Sequence, residues 1–392
     1  MMNKSIYVVD DQQPVADTAV LVLRRINPAW EVIGFTDPLQ ALAAIKAKPP
    51  DLVLSDQVMP AMSGSQLLEQ VRLIAPGTIR IIMSGYVPLN ELTVITSAHQ
   101  YLAKPFDTVK LQESVQRSFA ARERIKDKGL ETVVTSLRSI PSLPQVYHSL
   151  LAELEDSSSG MTSIARKVTE DAGISMKVLQ LANSPLFGQD NMVKSPTEAV
   201  MCLGTDMVAA LVLSQSLFRH YESLDAGELQ VRQAWNHCWE AAYLAQHLCL
   251  EKNLPRQSSE EAFLAGLLHE MGRFILVDNF QDQYHQACEA ARQANSPLNP
   301  KLREVFGTTP TQVTAYLLQL WGMPASVIAS IAALENPAQV EVDGFDITTA
   351  LYIADGLAAR KCPPDPFPPE EWNKTYLEAA GCLEDFAVWE KL

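Results

Sequence analysis

The first 125 residues alternate between short, fully apolar runs and longer segments with helical periodicity. Strands that are apolar throughout are typical of a parallel sheet covered by helices on both faces. The pattern therefore predicts a doubly wound α/β domain with a five-stranded parallel sheet. The predicted strands are Ile6–Val9, Glu31–Phe35, Leu52–Ser55, Ile79–Met83 and Gln100–Ala103. The predicted helices are Pro14–Ile26, Pro38–Lys46, Gln66–Ile74, Leu89–Thr96 and one that begins at Asp107.

Polar residues stand at the carboxyl ends of these strands. Asp10 and Asp11 follow the first strand, Asp56 the third, Ser84 the fourth and Lys104 the fifth. Because ligands bind at the carboxyl edge of such sheets, we expect these side chains to form one site. The carboxylates would repel one another, by ~4 kcal/mol for a pair ~4 Å apart at an effective dielectric of ~20. The site therefore requires cations.

A divalent metal and Lys104 are the cations that this pattern predicts. Oxygen ligands favour Mg²⁺, which commonly helps to carry a phosphoryl group. Asp56 is the candidate nucleophile for phosphoryl transfer, with Asp10 and Asp11 as metal ligands. Ser84 and Lys104 would contact the phosphoryl oxygens.

In their order and spacing, four short motifs resemble the receiver domain of two-component response regulators. The motifs are Val9–Asp11, Ser55–Pro60, Met83–Gly85 and Tyr101–Pro105. The resemblance implies a flavodoxin-like fold and phosphorylation of Asp56 by a cognate sensor histidine kinase. It implies that Mg²⁺ binds Asp10, Asp11, Asp56 and the backbone carbonyl of Val58. It also implies that Ser84 and Tyr101 respond to phosphorylation and that the peptide bond before Pro105 is cis.

The pattern predicts that the helix that begins at Asp107 continues past the usual end of such a domain. The charged stretch from Arg117 to Lys128 is typical of a solvated helix face. The alternative is a helix that joins two modules and contributes dimer contacts. We assign residues 1–125 to the receiver domain and 126–134 to the end of this connecting helix or a linker.

The remainder of the chain contains almost no strand pattern and is predicted to be helical. The 392 residues carry a formal net charge of −15, from 31 basic and 46 acidic side chains. Residues 1–120 contribute 10 basic and 11 acidic side chains, so a net charge of −14 belongs to residues 121–392. Because a nucleic-acid partner requires a basic surface, this balance argues against one.

Signals for export, membrane insertion and disulfide formation are missing from the sequence. No apolar stretch approaches the ~18 residues that span a bilayer, and the first residues show no signal-peptide pattern. The six cysteines never form a Cys-x-x-Cys motif. We therefore expect a cytoplasmic protein with no membrane partner.

Four motifs in the helical part resemble the HDOD family, a helical output module related to HD-type metal phosphohydrolases. They are Ile140–Pro144, Leu179–Pro185, Ser195–Val200 with Leu203 and Gly204, and Ala265–Gly272. The resemblance implies an all-helical HDOD domain over residues 135–360. Residues 361–392 lie outside it and form a C-terminal appendage.

The four metal-ligating positions of HD phosphohydrolases correspond here to His237, His269, Glu270 and Asp355. Glu270 replaces the signature aspartate, and its extra methylene displaces the carboxylate by more than a metal site tolerates. Additional histidines, expected in active cyclic-dinucleotide phosphodiesterases, are absent from Thr308–Pro310 and Ser330–Asn336. We therefore expect no metal in the HDOD domain. Instead, we expect His237 to be hydrogen-bonded in the core, His269 and Glu270 to form a polar pair that ties helices together, and Asp355 to pair with a nearby base.

These patterns predict a non-catalytic response regulator. Phosphorylation of Asp56 with Mg²⁺ would switch an HDOD output module that binds an unknown downstream protein, and the chain would act as a monomer or a homodimer. One alternative is a receiver-gated, metal-dependent phosphohydrolase acting on a nucleotide or cyclic dinucleotide. Another is a module that binds a nucleotide without hydrolysing it.

Overall fold

The computed structural model describes residues 4–84, 98–104, 108–123, 128–137, 161–169, 172–183, 193–221, 231–339 and 344–389. The chain divides into two compact units. The first comprises Met1–Leu143 together with Tyr316–Gly322, and the second comprises Pro144–Ala315 together with Met323–Leu392.

A five-stranded parallel sheet in the order β2-β1-β3-β4-β5 forms the first unit. The strands are β1 (Ser5–Val9), β2 (Glu31–Phe35), β3 (Leu52–Asp56), β4 (Ile79–Ser84) and β5 (Gln100–Ala103). In the β1–β3 register Val9 lies opposite Ser55, and in the β4–β5 register Ser84 lies opposite Ala103. This register brings the strand ends that precede Asp10, Asp56 and Lys104 to one edge of the sheet.

Helices cover both faces of this sheet, because alternate strand side chains enter two separate cores. The helices of this unit are α1 (Gln13–Ile26), α2 (Pro38–Ala47), α3 (Gly64–Ile74), α4 (Thr108–Glu123) and α5 (Lys128–Ser136). On one face Ile6 packs with Leu23 of α1 and Val115 of α4. On the other face Tyr7 packs in a core that includes Leu68 of α3.

The predicted fold class is confirmed for this unit. Helix α3 contains the predicted segment Gln66–Ile74 and begins two residues earlier, at Gly64. Ser63 and Gln66 form a capping box there: the Ser63 hydroxyl accepts from the Gln66 N–H, and the Gln66 side chain accepts from the Ser63 N–H. The predicted helix Leu89–Thr96 and the Pro105 peptide bond lie outside the described residues.

Helices are the regular secondary structure of the second unit in its described residues. The described α-helices from residue 161 onward are α6 (Met161–Thr169), α7 (Ala172–Ala182), α8 (Pro196–Leu203), α9 (Thr205–Tyr221), α10 (Val231–Glu251), α11 (Arg256–Leu268), α12 (Met271–Asn279), α13 (Gln281–Ala294), α14 (Leu298–Phe306), α15 (Pro310–Trp321), α16 (Ala325–Ala333), α17 (Ile347–Lys361), α18 (Lys374–Ala379) and α19 (Leu383–Trp389). The last turns of α15, from Tyr316, belong to the first unit. A short 3₁₀ helix spans Pro337–Gln339.

Helix α10 is the centre of this unit, since it packs against both α11 and α17. Small residues allow the close contact: a Cβ atom on Gly266 of α11 would lie 2.4 Å from the Cα atom of Ala242. This packing brings His237 of α10 to the end of α11, where His269 follows the helix, and to Asp355 of α17.

The described part of the C-terminal segment, residues 361–389, shares a core with these central helices. Tyr376 and Leu377 of α18 and Trp389 of α19 are buried in the same apolar cluster as Ala241 of α10 and Ile353 of α17. The Trp389 indole N–H lies 3.1 Å from the Glu251 carboxylate. The segment outside the HDOD resemblance is therefore packed into the second unit.

Among the described residues, no single helix has the length and apolarity needed to cross a membrane. One bent pair, Pro196–Leu203 with Thr205–Ser214, meets that test only when its two helices are taken together across a bend of 113°.

Candidate functional site

The carboxyl edge of the sheet brings Asp10, Asp56 and Lys104 into direct contact. The Lys104 ammonium donates to Asp10 Oδ2 at 2.7 Å and also to Asp56 Oδ1. The Asp10 side chain is fully buried and that of Asp56 nearly so, whereas 22% of the Lys104 side chain is exposed. One lysine therefore bridges two buried carboxylates that come from different strand ends.

Backbone amides hold the remaining oxygens of these carboxylates. The Val58 N–H donates to Asp56 Oδ2 at 2.8 Å, and the Gln12 N–H donates to Asp10 Oδ1 at 3.0 Å. Burial alone would lower the pKa of Lys104. Its hydrogen bonds to Asp10 and Asp56 outweigh that effect, and its pKa lies above the ordinary value.

The other predicted residues of this site are placed as follows. Asp11 is exposed beside Asp10, and Val58 is 73% exposed in the loop after β3. Ser84 ends β4, and Tyr101 lies in β5 opposite Ile82. The side chains of Ser84 and Tyr101 are outside the described part of the chain.

The donor set at this edge fits Mg²⁺. Its ligand atoms are carboxylate oxygens, and its two buried negative charges share the single positive charge of Lys104. Sequence reasoning missed Gly64, which allows the loop after Asp56 to fold back. A Cβ atom on Gly64 would lie 2.0 Å from the Asp56 carbonyl oxygen. The sequence feature that could have identified it is a glycine between two serines, directly before the predicted helical segment.

A second polar cluster lies in the helical unit, where His237, His269 and Asp355 meet. His237 Nε2 is 2.9 Å from Asp355 Oδ1 and 3.1 Å from His269 Nε2. His269 Nε2 is 3.2 Å from Asp355 Oδ1. Both imidazoles are buried, so three polar atoms from three elements converge on one point.

A backbone contact fixes the position of one ring proton of His269. Its Nδ1 lies 2.8 Å from the Gly266 carbonyl oxygen, which can only accept, so Nδ1 carries a proton. Burial lowers the pKa of His269, but the Asp355 carboxylate more than offsets it, and the pKa lies above its ordinary value. Burial raises the pKa of Asp355, and hydrogen bonds from His237 and His269 reverse this, holding the pKa below its usual range.

Glu270 is turned toward a buried arginine. Its Oε2 lies 2.6 Å from Arg273 Nε, whereas its Oε1 is 3.7 Å from His269 Nε2. Arg273 also pairs with Asp365 and donates to Asn299 Oδ1 at 3.2 Å. Burial lowers the pKa of Arg273, yet Glu270 and Asp365 raise it well above its ordinary value. Glu270 is thus closer to Arg273 than to His269, its expected polar partner.

A metal ion nevertheless fits three of these residues. Ligand atoms around a four-coordinate zinc ion, each ~2.1 Å from the metal, lie ~3.4 Å from one another. The atoms of His237, His269 and Asp355 lie 2.9–3.2 Å apart. The ligand atoms of His237, His269 and Glu270 are within 4.8 Å of one another. These residues therefore have the chemistry of a His₂-carboxylate metal site.

A cavity of about 160 Å³ lies in front of this cluster. Residues 363–365 and 367–373 line it together with residues of α12, α14 and α17. Its carboxylates belong to Glu270, Glu335, Asp355, Asp365, Glu370 and Glu371, and its guanidinium groups to Arg273 and Arg360. Burial raises the pKa of Glu335 to about 7, despite a hydrogen bond from the Thr311 hydroxyl at 3.0 Å.

Asp365 is the residue of this second cluster that sequence reasoning missed. Its contact partner Arg273 lies 92 residues earlier in the chain. The available signal was local: Asp365 stands alone among five prolines, in a segment that follows the predicted domain.

Comparison with protein families finds two matches along the chain. The family described as "HDOD domain" matches residues 140–337, and the family described as "Response regulator receiver domain" matches residues 6–116. Asp355 and the C-terminal segment lie beyond the matched HDOD range.

Individual relatives match one part or the other. Sporulation initiation phosphotransferase F of Bacillus subtilis is 31% identical over 123 residues, which are 30% of this chain and 94% of that protein. An uncharacterized protein of Treponema pallidum is 23% identical over 206 residues, 52% of this chain and 39% of its own length. The chain thus spans well under two thirds of the latter relative.

A solved structure shares the fold of the helical part. An HDOD domain protein of unknown function from Geobacter sulfurreducens is 20% identical and superposes with a TM-score of 0.52. The match covers 70% of this chain and 89% of that chain.

Proposed function

Because this chain belongs to the HDOD family and carries a receiver domain at its N-terminus, we propose that it is a phosphorylation-switched regulator whose output is protein binding. Asp56 accepts a phosphoryl group from a cognate sensor kinase in this proposal. The HDOD module then changes its affinity for a downstream protein. Nucleic acid is not its target, because the chain is strongly acidic.

The observation that carries the proposal is the bridge from Lys104 to both Asp10 and Asp56. It fixes the Asp56 carboxylate at the carboxyl edge of the sheet, next to a cation able to pair with a phosphoryl oxygen. Asp10, Asp11, Asp56 and the Val58 carbonyl are the proposed Mg²⁺ ligands. When bound, Mg²⁺ would neutralise charge on the phosphoryl group as it transfers.

The switch follows from charge. Phosphorylation converts the singly charged Asp56 carboxylate into an acyl phosphate of about −2, and the phosphoryl oxygens compete with Asp10 for the Lys104 ammonium. Ser84 at the end of β4 and Tyr101 in β5 would respond, and the change would continue into α4. A shift from ~1:99 to ~99:1 between two states needs ~5.5 kcal/mol of differential stabilisation.

The test of the acceptor uses acetyl phosphate with Mg²⁺ as the phosphoryl donor. We expect one phosphoryl group per chain on the wild type and on Asp17→Asn, whose carboxylate lies on α1. We expect none on Asp56→Asn. Full labelling of Asp56→Asn, measured by intact mass, would contradict the assignment.

Two features favour protein binding over catalysis in the HDOD module. The Glu270 carboxylate is engaged by the buried Arg273 guanidinium. The cavity of about 160 Å³ is smaller than the ~300–1,000 Å³ of typical small-molecule sites. Capture of partners on immobilised protein, with and without beryllofluoride, tests this output. A partner whose retention changes at least fivefold supports it, and identical retention in both states refutes switching.

A second function, metal-dependent phosphoester hydrolysis, is favoured by one observation. His237, His269 and Asp355 converge as a metal site requires. Elemental analysis and a hydrolysis assay with cyclic dinucleotides discriminate between the two functions. Catalysis would replace protein binding as the proposed output if the wild type holds a stoichiometric metal and hydrolyses a cyclic dinucleotide, and if His237→Ala loses the metal. A metal-free protein without turnover retains the first proposal.

A further inference from the structure

Residues 362–373, hereafter the strap, connect the end of α17 to the start of α18. Both ends are fixed, since α17 and α18 lie in one buried core. The strap contains five prolines: Pro363, Pro364, Pro366, Pro368 and Pro369. Proline restricts the unfolded chain and donates no backbone hydrogen bond, so docking this segment costs little conformational entropy.

The middle of the strap reaches the buried guanidinium behind the cavity. Asp365 pairs with Arg273 Nη1, and only 4% of the Arg273 side chain and 11% of that of Asp365 are exposed. The guanidinium also contacts Glu270, with Nε 2.6 Å from Oε2 and Nη2 3.3 Å from Oε1, and Nη2 donates to Asn299 Oδ1 at 3.2 Å. Asp365 thus supplies the second carboxylate of a buried site whose first carboxylate is Glu270.

The end of the strap packs over α17. The Trp372 ring lies 4.4 Å from the Arg360 guanidinium, and the Asn373 N–H donates to the Tyr352 hydroxyl at 2.8 Å. A Cβ atom on Gly356, the residue after Asp355, would lie 2.2 Å from the Trp372 ring. The glycine is therefore required for the strap to close against this helix.

From these contacts we infer that Arg273 forms an oxyanion-binding subsite, which Asp365 fills from within the same chain while the strap is closed. A guanidinium binds carboxylate and phosphate oxygens with the same planar fork. When the strap opens, the Asp365 carboxylate leaves, and an external oxyanion restores the two-acceptor arrangement around Arg273. The ligand class is therefore a carboxylate- or phosphate-bearing molecule, and Asp365 is its internal competitor.

The first experiment measures strap opening by hydrogen–deuterium exchange in the full, unphosphorylated chain. Asp365→Asn retains the acceptor for the Phe367 N–H but loses the charge that holds Arg273. We expect exchange in peptides covering the strap to become about 10- to 100-fold faster. The matched control is Asp282→Asn on the exposed start of α13, which should exchange as the wild type does. Unchanged exchange in Asp365→Asn overturns the inference.

Gly356→Ala opens the strap by a different route. The added methyl group displaces the Trp372 ring. Because alanine favours a helix more than glycine does, faster exchange in the strap cannot arise from a weakened α17. We expect accelerated exchange in the strap and unchanged exchange in α10. Wild-type exchange in both regions would also overturn the inference.

The second experiment titrates inorganic phosphate and, separately, acetate into each variant by calorimetry. A closed strap competes with the anion, so we expect at least tenfold tighter binding of one anion to Asp365→Asn than to the wild type. Tighter phosphate binding identifies a phosphate-bearing ligand, and tighter acetate binding a carboxylate. Equal affinities of both anions for the two proteins refute the subsite. Because Asp56 takes no part, failure here leaves the receiver proposal intact.

Discussion

The two polar sites of this chain neutralise buried carboxylates in different ways. At the sheet edge, Asp10 and Asp56 share Lys104, whose side chain is 22% exposed. In the helical unit, Glu270 and Asp365 share Arg273, whose side chain is 4% exposed. A lysine ammonium is a flexible point charge that a new anion can attract. A guanidinium is a rigid planar group, and that of Arg273 contacts both carboxylates. The first arrangement suits a site that changes its charge state, and the second suits a site kept closed.

Removing Arg273 tests this comparison with the largest expected effect. Arg273→Met leaves Glu270 and Asp365 buried without their cation, so we expect the second unit to lose about 3–5 kcal/mol of stability. Hydrogen exchange in α10 measures the free energy of opening. A loss below ~1 kcal/mol would mean that the two carboxylates reach water or other cations, and the contrast between the sites would fail.

A buried acid in the same cavity gives a pH-dependent effect of intermediate size. The pKa of Glu335 is raised from 4.5 to about 7, so its neutral form is favoured in the folded state. Its stabilisation is complete below pH ~4.5 and is lost as the pH rises through ~7. Glu335→Gln should therefore be more stable than the wild type by up to ~3 kcal/mol at pH 8 and similar to it at pH 4.5.

The measurement for this prediction is the unfolding free energy of the second unit between pH 4.5 and pH 8. Glu304→Gln is the control, because the Glu304 side chain is 63% exposed. It should follow the wild-type curve. Parallel curves for Glu335→Gln and the wild type would show that Glu335 is ionised in the fold at neutral pH.

Removing the lysine of the sheet edge should have the smallest effect. Lys104→Met leaves Asp10 and Asp56 facing each other, but both retain a backbone N–H donor, and we expect a loss of ~1–2 kcal/mol. Added Mg²⁺ should raise the melting temperature of this variant more than that of the wild type, since the metal replaces the missing charge. An equal rise in melting temperature with Mg²⁺ in both proteins would show that the metal does not replace the charge of Lys104 beside Asp10 and Asp56.

Much of the first unit follows from local sequence. The apolar runs predict all five strands within one or two residues, and the strand ends predict the contact among Asp10, Asp56 and Lys104. These predictions succeed because strand periodicity is local and parallel strands bring their carboxyl ends to one edge. Apolar periodicity did not give the start of α3, because a capping box at Ser63 and Gln66 sets it.

In the second unit, the sequence pattern predicted the helices, and the family resemblance identified His237, His269, Glu270 and Asp355 as the candidate site. Only the tertiary structure decided that Glu270 turns to Arg273 and that Asp365 closes the same guanidinium from the strap. The physical reason is that these contacts join elements far apart in sequence. Which carboxylate reaches which cation depends on the packing of α10, α11 and α17 and on where the C-terminal segment docks, and no local pattern encodes that choice.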